Sequence, residues 1–331
     1  MSLQSGSPGP QSVEARPSVW GGLGDLLDTR AKRAAAIVVI LAAMVVAPLL
    51  GPYAVVILTN ALLYTILALG LNIVVGYAGL LDLGYAAFFA VGAYSVGILT
   101  TSFGWNFWAT IPVAVVAAML AGIIIGGPTL RLRSDYLAIV TLGFGEIVRI
   151  AARNLKITGS ASGISGIEQP WLFGWHLKSS TDFYYVFLVL AIIGILVSVR
   201  LVNSRLGRAW LYVRHDEDAA EAMGIDRVRV KLAAYVIGAI YGSIGGAFFA
   251  ANLGAISPDS FSFKQSTLFL MAVILGGMGK IPGVILGAFV VVLAPEILRD
   301  FGSWRYLIFA VGLLLIMLYR PSGIWPAGAR R

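Results

Sequence analysis

Ten apolar runs follow one another along this chain, at residues 34–50, 53–76, 82–101, 107–127, 135–151, 183–202, 230–252, 266–279, 281–298 and 305–319. A helix that crosses the hydrocarbon of a bilayer needs about 20 apolar residues. Apolar residues make up 59% of the 331, enough for nine or ten such helices, and mean hydropathy is +0.87. A soluble domain of this size carries roughly 25% charged residues, and this chain has 12%. Too little polar surface remains to keep a globule in water. The fold class is therefore an all-α membrane protein with about ten transmembrane helices. Run 266–279 is short and glycine-interrupted, so a broken or re-entrant helix buried in protein is expected there.

The net charge of +8 would suggest a nucleic-acid partner in a soluble chain, but in a membrane protein basic residues report topology. Residues 1–33 are rich in Ser, Gly and Pro and read as a disordered cytosolic tail. Arg30, Lys32 and Arg33 stand directly before the first apolar run, as a cytoplasmic flank would. Ten spans from that start put both termini in the cytoplasm. Seventeen of the 24 Lys and Arg then fall inside and seven outside, which agrees with the positive-inside bias. The expected organisation is a tail at 1–33, a transmembrane domain at 34–320 with an outer loop at 153–182 and an inner loop at 203–229, and a cytosolic tail at 321–331. Lipid is the expected surroundings, with no nucleic acid.

Catalytic readings fail. There are no cysteines, and the only two histidines, His176 and His215, fall on opposite sides of the membrane in this topology. No His cluster can hold a metal, and no Ser/His/Asp arrangement is visible. The stretch Gly276-Gly277-Met278-Gly279-Lys280-Ile281 lacks the spacing of a phosphate loop and has Ile281 where a magnesium-ligating Ser or Thr would stand. Any ATPase belongs to another chain.

The inner loop carries the clearest local signal. Asp216 suits an N-cap, Glu217 and Asp218 place negative charge in the first turn, and Gly224 suits a C-terminal stop. The spacing predicts a helix of about two turns, too short to be stable alone. Ala219, Ala222 and Met223 share a small apolar face suited to a partner's groove, the alternative being a solvated acidic turn.

Asp218-Ala219-Ala220, followed by three residues and then Gly224, resembles the EAA signature of ABC importer permeases, with Asp in place of Glu and no Ile-x-Leu-Pro after it. GYAGLLDLGYAAFF (76–89), LRLRSDYLAIVTLGFGEIVR (130–149), SRLGRAW (204–210), SPDSFSF (257–263) and GGMGKIPG (276–283) extend the likeness. Together they resemble LivM-type permease subunits of branched-chain amino acid ABC importers. The resemblance implies a type II-like permease in the bacterial inner membrane. It also implies a homologous LivH-type permease, two ATP-binding subunits holding ATP and Mg, and a periplasmic amino-acid-binding protein. No cofactor is expected in this chain. Residues Arg214, Asp216, Glu217, Asp218, Ala219, Ala220, Met223 and Gly224 would form the ATPase-coupling element.

Buried polar groups are costly in a membrane and therefore informative. Asn72, Asp82, Glu146, Asn252, Gly276 and Gly277 are candidates for the translocation pathway or for structural polar sites. Asp82 is read as capping a helix that begins at Leu83, and Glu146 as pairing with Arg149 three residues on. Gly84, Gly92, Gly97, Gly238, Gly242 and Gly246 recur at helical spacing and suit close helix packing. The glycine-serine stretch 158–167 is read as a flexible outer loop. The rival readings are a proton-coupled secondary transporter titrating Glu146 and Asp82, a channel, and a same-family importer of urea, amides or aromatic acids.

Overall fold

The computed structural model describes residues 49, 51–130, 134–172, 175–302, 304–320 and 323–324. The expected tail at 1–33, the first apolar run apart from Leu49, and most of the tail at 321–331 lie outside the described residues.

The described chain is almost entirely helical. Helix α1 (Pro52–Leu71) runs on into a six-residue π-helix (Asn72–Tyr77). After it come α2 (Ala86–Thr101), α3 (Phe107–Thr129), α4 (Ser134–Asn154), α5 (Ser180–Asn203), α6 (Arg205–His215), α7 (Glu217–Ala222), α8 (Arg227–Leu253), α9 (Phe263–Gly276), α10 (Ile281–Ile297) and α11 (Trp304–Tyr319). The nine apolar runs from residue 53 onward coincide with α1–α5 and α8–α11. Among the described residues four helices, Pro52–Tyr77, Phe107–Thr129, Ser180–Asn203 and Arg227–Leu253, are long and apolar enough, by length and composition, to cross a membrane. Helix α9, with 14 residues, rises only about 21 Å and packs as a hairpin against α10. Val113, Val116, Leu120 and Ile124 on α3, Val189, Ile193 and Leu196 on α5, and Leu307, Val311, Leu314 and Leu318 on α11 are all exposed. Apolar faces of that extent suit hydrocarbon rather than water.

Side-chain caps set several helix starts. Asn106 Oδ1 accepts from Trp108 N at 2.9 Å, Asp226 Oδ1 accepts from Arg229 N at 3.1 Å, and Ser179 with Asp182 forms a capping box at α5. The start of α2 differs from the expectation. Residues 79–85 are not helical, and Asp82 Oδ1 accepts from Gly84 N at 2.8 Å, so it braces a turn and does not cap a helix at Leu83. The first amide of α2, Ala86 N, donates instead to Ser266 Oγ of α9 at 2.9 Å.

Helix α8 lies along α2 and α3 at the centre of the bundle. A Cβ at Gly92 would collide with the Ser243 backbone, and one at Gly246 with the Phe89 carbonyl. Glycine there lets the two helix backbones approach. Beside this crossing Tyr85, Phe88, Phe89, Tyr235 and Phe269 pack edge to face, with Phe88 and Tyr235 centroids 5.3 Å apart and Phe89 and Phe269 centroids 5.8 Å apart.

The loops gather at two ends. One end joins the π-helix, the α6–α7 segment, the α9–α10 turn and Ile324, whose N donates to Leu275 O at 2.8 Å. At the other end Trp108 Nε1 donates to Trp171 O at 2.6 Å, and β1 (Ile164–Ser165) pairs antiparallel with a distant strand, Ala255–Ile256. Between them in sequence, β2 (Trp171–Leu172) and β3 (Trp175–His176) form a second pair, which makes Ala255–Ile256 β4. Stretch 158–167 is thus a folded loop and not the flexible one expected. Strand pairing at β1 and the bond from Ile167 N to Gly254 O at 3.0 Å tie its backbone to the α8 end, and the Thr158 hydroxyl donates to Ala152 O at 2.6 Å.

Candidate functional site

Helices α6, α7 and the start of α8 form one polar unit at the first end. Asp216 Oδ1 accepts from the amides of Asp218 and Ala219, both at 3.0 Å. The far end of α7 closes as a Schellman turn, with Ile225 N donating to Ala220 O at 3.0 Å and Gly224 N to Glu221 O at 2.9 Å. Gly224 has φ +81°, a conformation that costs a side-chain-bearing residue and suits glycine. Ala220 is fully buried beneath this helix, while Ala219, Ala222 and Met223 are exposed, Met223 to 65%. One face of α7 therefore docks on its own protein and the other is open. A shallow groove lined by Glu221, Gly224 and Arg227 runs beside it.

Three ion pairs hold α7 against α8. Lys231 Nζ lies 2.6 Å from Glu217 Oε1, and Arg227 reaches Glu221 Oε2 at 3.2 Å and Asp218 Oδ1 at 3.6 Å. Lys231 is the unusual partner, since its side chain is only 4% exposed. The Trp210 indole of α6 is fully buried and donates to Val230 O at 2.8 Å. Neither Lys231 nor Trp210 stood out in the sequence; a lysine at the polar end of an apolar run that faces an acidic helix is the signal that could have found it.

Arg214 does not share the open face. Its Nη1 donates to the Gly76 carbonyl in the π-helix, and its side chain lies over Gly79. Asn72, 1% exposed, opens the same π-helix, and its Oδ1 accepts from Gly279 N at 2.8 Å. Gly279 holds φ +80° in the turn between α9 and α10. Asn72, Arg214 and the turn that follows Gly276 and Gly277 thus meet at one point, although more than 200 positions separate Asn72 from Gly279.

The other candidates lie apart from it. Asp82 is fully buried, with Oδ2 unpartnered, and Thr141 Oγ1 of α4 accepts from the neighbouring Leu83 N at 3.1 Å. Glu146 Oε2 pairs with Arg149 Nη2 at 2.7 Å, and Arg149 Nη1 lies 3.5 Å from Asp259 Oδ1, towards the opposite end of the bundle. Asn252 is half-buried one residue before the end of α8. Among the described residues no group of three His, Cys, Asp or Glu is placed to hold a metal.

The sequence profile described as the permease component of the branched-chain amino acid transport system matches residues 53–318. Two relatives are named high-affinity branched-chain amino acid transport system permease protein LivM. The one from Escherichia coli is 43% identical over 292 residues, covering 81% of this chain and 69% of that protein, and the one from Salmonella typhimurium is 42% identical over the same extent. The permease protein LivH of Salmonella typhimurium is 24% identical over 288 residues, covering 79% of this chain and 90% of that protein. No solved structure matches. A helical bundle with several membrane-length apolar helices, matched over most of its length by that profile and by both LivM proteins, places this chain in the family of branched-chain amino acid transport system permeases, as a multi-pass membrane protein.

Proposed function

We propose that this chain is the membrane-spanning permease subunit of an ATP-driven importer that carries branched-chain or related amino acids across the bacterial inner membrane. In this reading it crosses the membrane about ten times with both termini in the cytoplasm, and the end that bears α7 is cytoplasmic. It works beside a homologous LivH-type permease, as the likeness to both LivM and LivH supports, with a periplasmic amino-acid-binding protein delivering the solute. Two separate ATP-binding subunits supply ATP and Mg, and this chain breaks no covalent bond.

The single observation that carries the reading is α7, a six-residue helix capped at both ends, tied to its own protein by one face and open on the other. A helix so short is unstable free in water. A capped, braced helix that presents Ala219, Ala222 and Met223 outward fits the groove of a partner. An ATPase closing on ATP would carry this helix with it, and the helix biases the permease only if it meets the two ATPase states differently.

Ala219→Arg puts a long cation on that open face without touching the buried Ala220. The expected result is loss of ATPase co-purification and of ATP-driven uptake, with expression unaltered. Wild-type uptake by that variant refutes the docking role. Uptake by this chain alone that collapses with a protonophore and ignores ATP would establish the secondary-transporter reading instead.

A further inference from the structure

Arg214 sits between the exposed coupling helix and the stretch where, among the described residues, a long apolar helix gives way to π-helical geometry. On one side, α6 and α7 are locked to α8 by the Trp210 hydrogen bond to Val230 O and by the Lys231–Glu217 pair. These contacts brace the segment 205–231 as one unit. On the other side, α1 gives way to the π-helix Asn72–Tyr77 and then to the non-helical 79–85. Within that stretch Gly76 O accepts from Arg214 Nη1. Four residues earlier, Asn72 Oδ1 takes Gly279 N at 2.8 Å, which fastens the π-helix to the α9–α10 turn. Single-turn π segments inside α-helices are rare and recur at functional sites.

We infer that Arg214 is a positioning residue that transmits movement of the coupling helix to the π-helix of α1 and, through Asn72, to the α9–α10 turn. The inference rests on the proposed docking of α7 and extends it by naming the route into the membrane domain. The physical basis is contiguity of strong contacts. A charge-assisted hydrogen bond to a carbonyl is directional, the Asn72 side chain that accepts from Gly279 N is itself buried, and the Trp210 and Lys231 contacts brace the other side. Arg214 is the joint between the cytoplasmic unit and the core, and a guanidinium reaches that carbonyl while its stem rests on the chain at Gly79.

The test uses the complete complex with both permeases, both ATPases and the binding protein in proteoliposomes. Arg214→Ala is expected to assemble with the ATPases and hydrolyse ATP, yet to lose amino-acid uptake by about tenfold or more. Arg214→Lys, which keeps the charge and stem but not the fork, is expected to regain part of it. Because this chain has no cysteine, Tyr212→Cys and Met278→Cys, both at exposed positions, are its two spin-label sites, used with partner subunits whose reactive cysteines have been replaced. In the parent protein the distance between the labels should keep one narrow distribution with and without ATP, and Arg214→Ala should broaden it or make it nucleotide-dependent. Uptake by Arg214→Ala within twofold of the parent overturns the inference, as does loss of assembly in both Arg214 variants. The docking reading fails separately, by intact uptake in Ala219→Arg.

Discussion

The Lys231–Glu217 pair is asymmetric, and its two halves should fail differently. Lys231 Nζ and Glu217 Oε1 are 2.6 Å apart, with the lysine side chain 4% exposed and the glutamate 45%. Removing one partner of a fully buried pair costs about 3–5 kcal/mol, because a charge stays behind without water. Glu217 is half in solvent, so water enters when its carboxylate leaves, and a discounted cost of about 1–2 kcal/mol applies to Glu217→Ala. Lys231→Met keeps the apolar stem and leaves only a solvated carboxylate, which costs under about 0.5 kcal/mol. The cost falls on the local opening of α7, whose amides at Ala220 and Met223 bond to Asp216 O and Ala219 O. Hydrogen exchange of peptides covering 216–226 reads that opening directly. Glu217→Ala should speed exchange by roughly 5–30-fold and Lys231→Met by no more than about twofold, with the double variant close to Lys231→Met. Equal acceleration in the two single variants, or none in Glu217→Ala, refutes the reasoning that a buried ammonium is what Glu217 compensates.

Two further outcomes follow from the packing and the caps. Gly92→Val drives a branched side chain into the Ser243 backbone, where overpacking costs about 1–3 kcal/mol or more; monodisperse protein yield in detergent should fall sharply, while the same change at Gly143, where a Cβ meets nothing within 4 Å, should leave it near the parent level. Asp216→Ala removes the acceptor for two α7 amides at a cost of about 0.5–2 kcal/mol, and should raise exchange at 217–223 without changing that of α8.

Features that depend on neighbours in sequence were legible in advance. The nine apolar runs from residue 53 onward are helices because an apolar segment satisfies its backbone only by hydrogen bonding within itself, and among the described residues four of them are also long and apolar enough to cross a membrane. The boundaries of α7 were readable because caps act within four or five residues, from Asp216 to Gly224. Glu146 and Arg149 meet because three residues on a helix bring two side chains to one face. The same local logic misjudged Asp82, since the turn through Gly84 competes with a cap and the sequence does not say which wins. It also misjudged 158–167, where glycine and serine suggested mobility while the pairing strand lies some 90 positions later, at Ala255–Ile256.

The chain by itself determined that this is a helical membrane protein, which stretches form its apolar helices, and where its short polar helix begins and ends, because each of those follows from hydrophobic burial and hydrogen bonding within a single segment. Only the tertiary structure decided that Ser266 caps α2, that Lys231 is buried against Glu217, and that Arg214 turns away from the open face of α7 to hold the Gly76 carbonyl. Those contacts join residues far apart in sequence, and an arginine on a polar loop carries no local mark of which distant carbonyl it will reach.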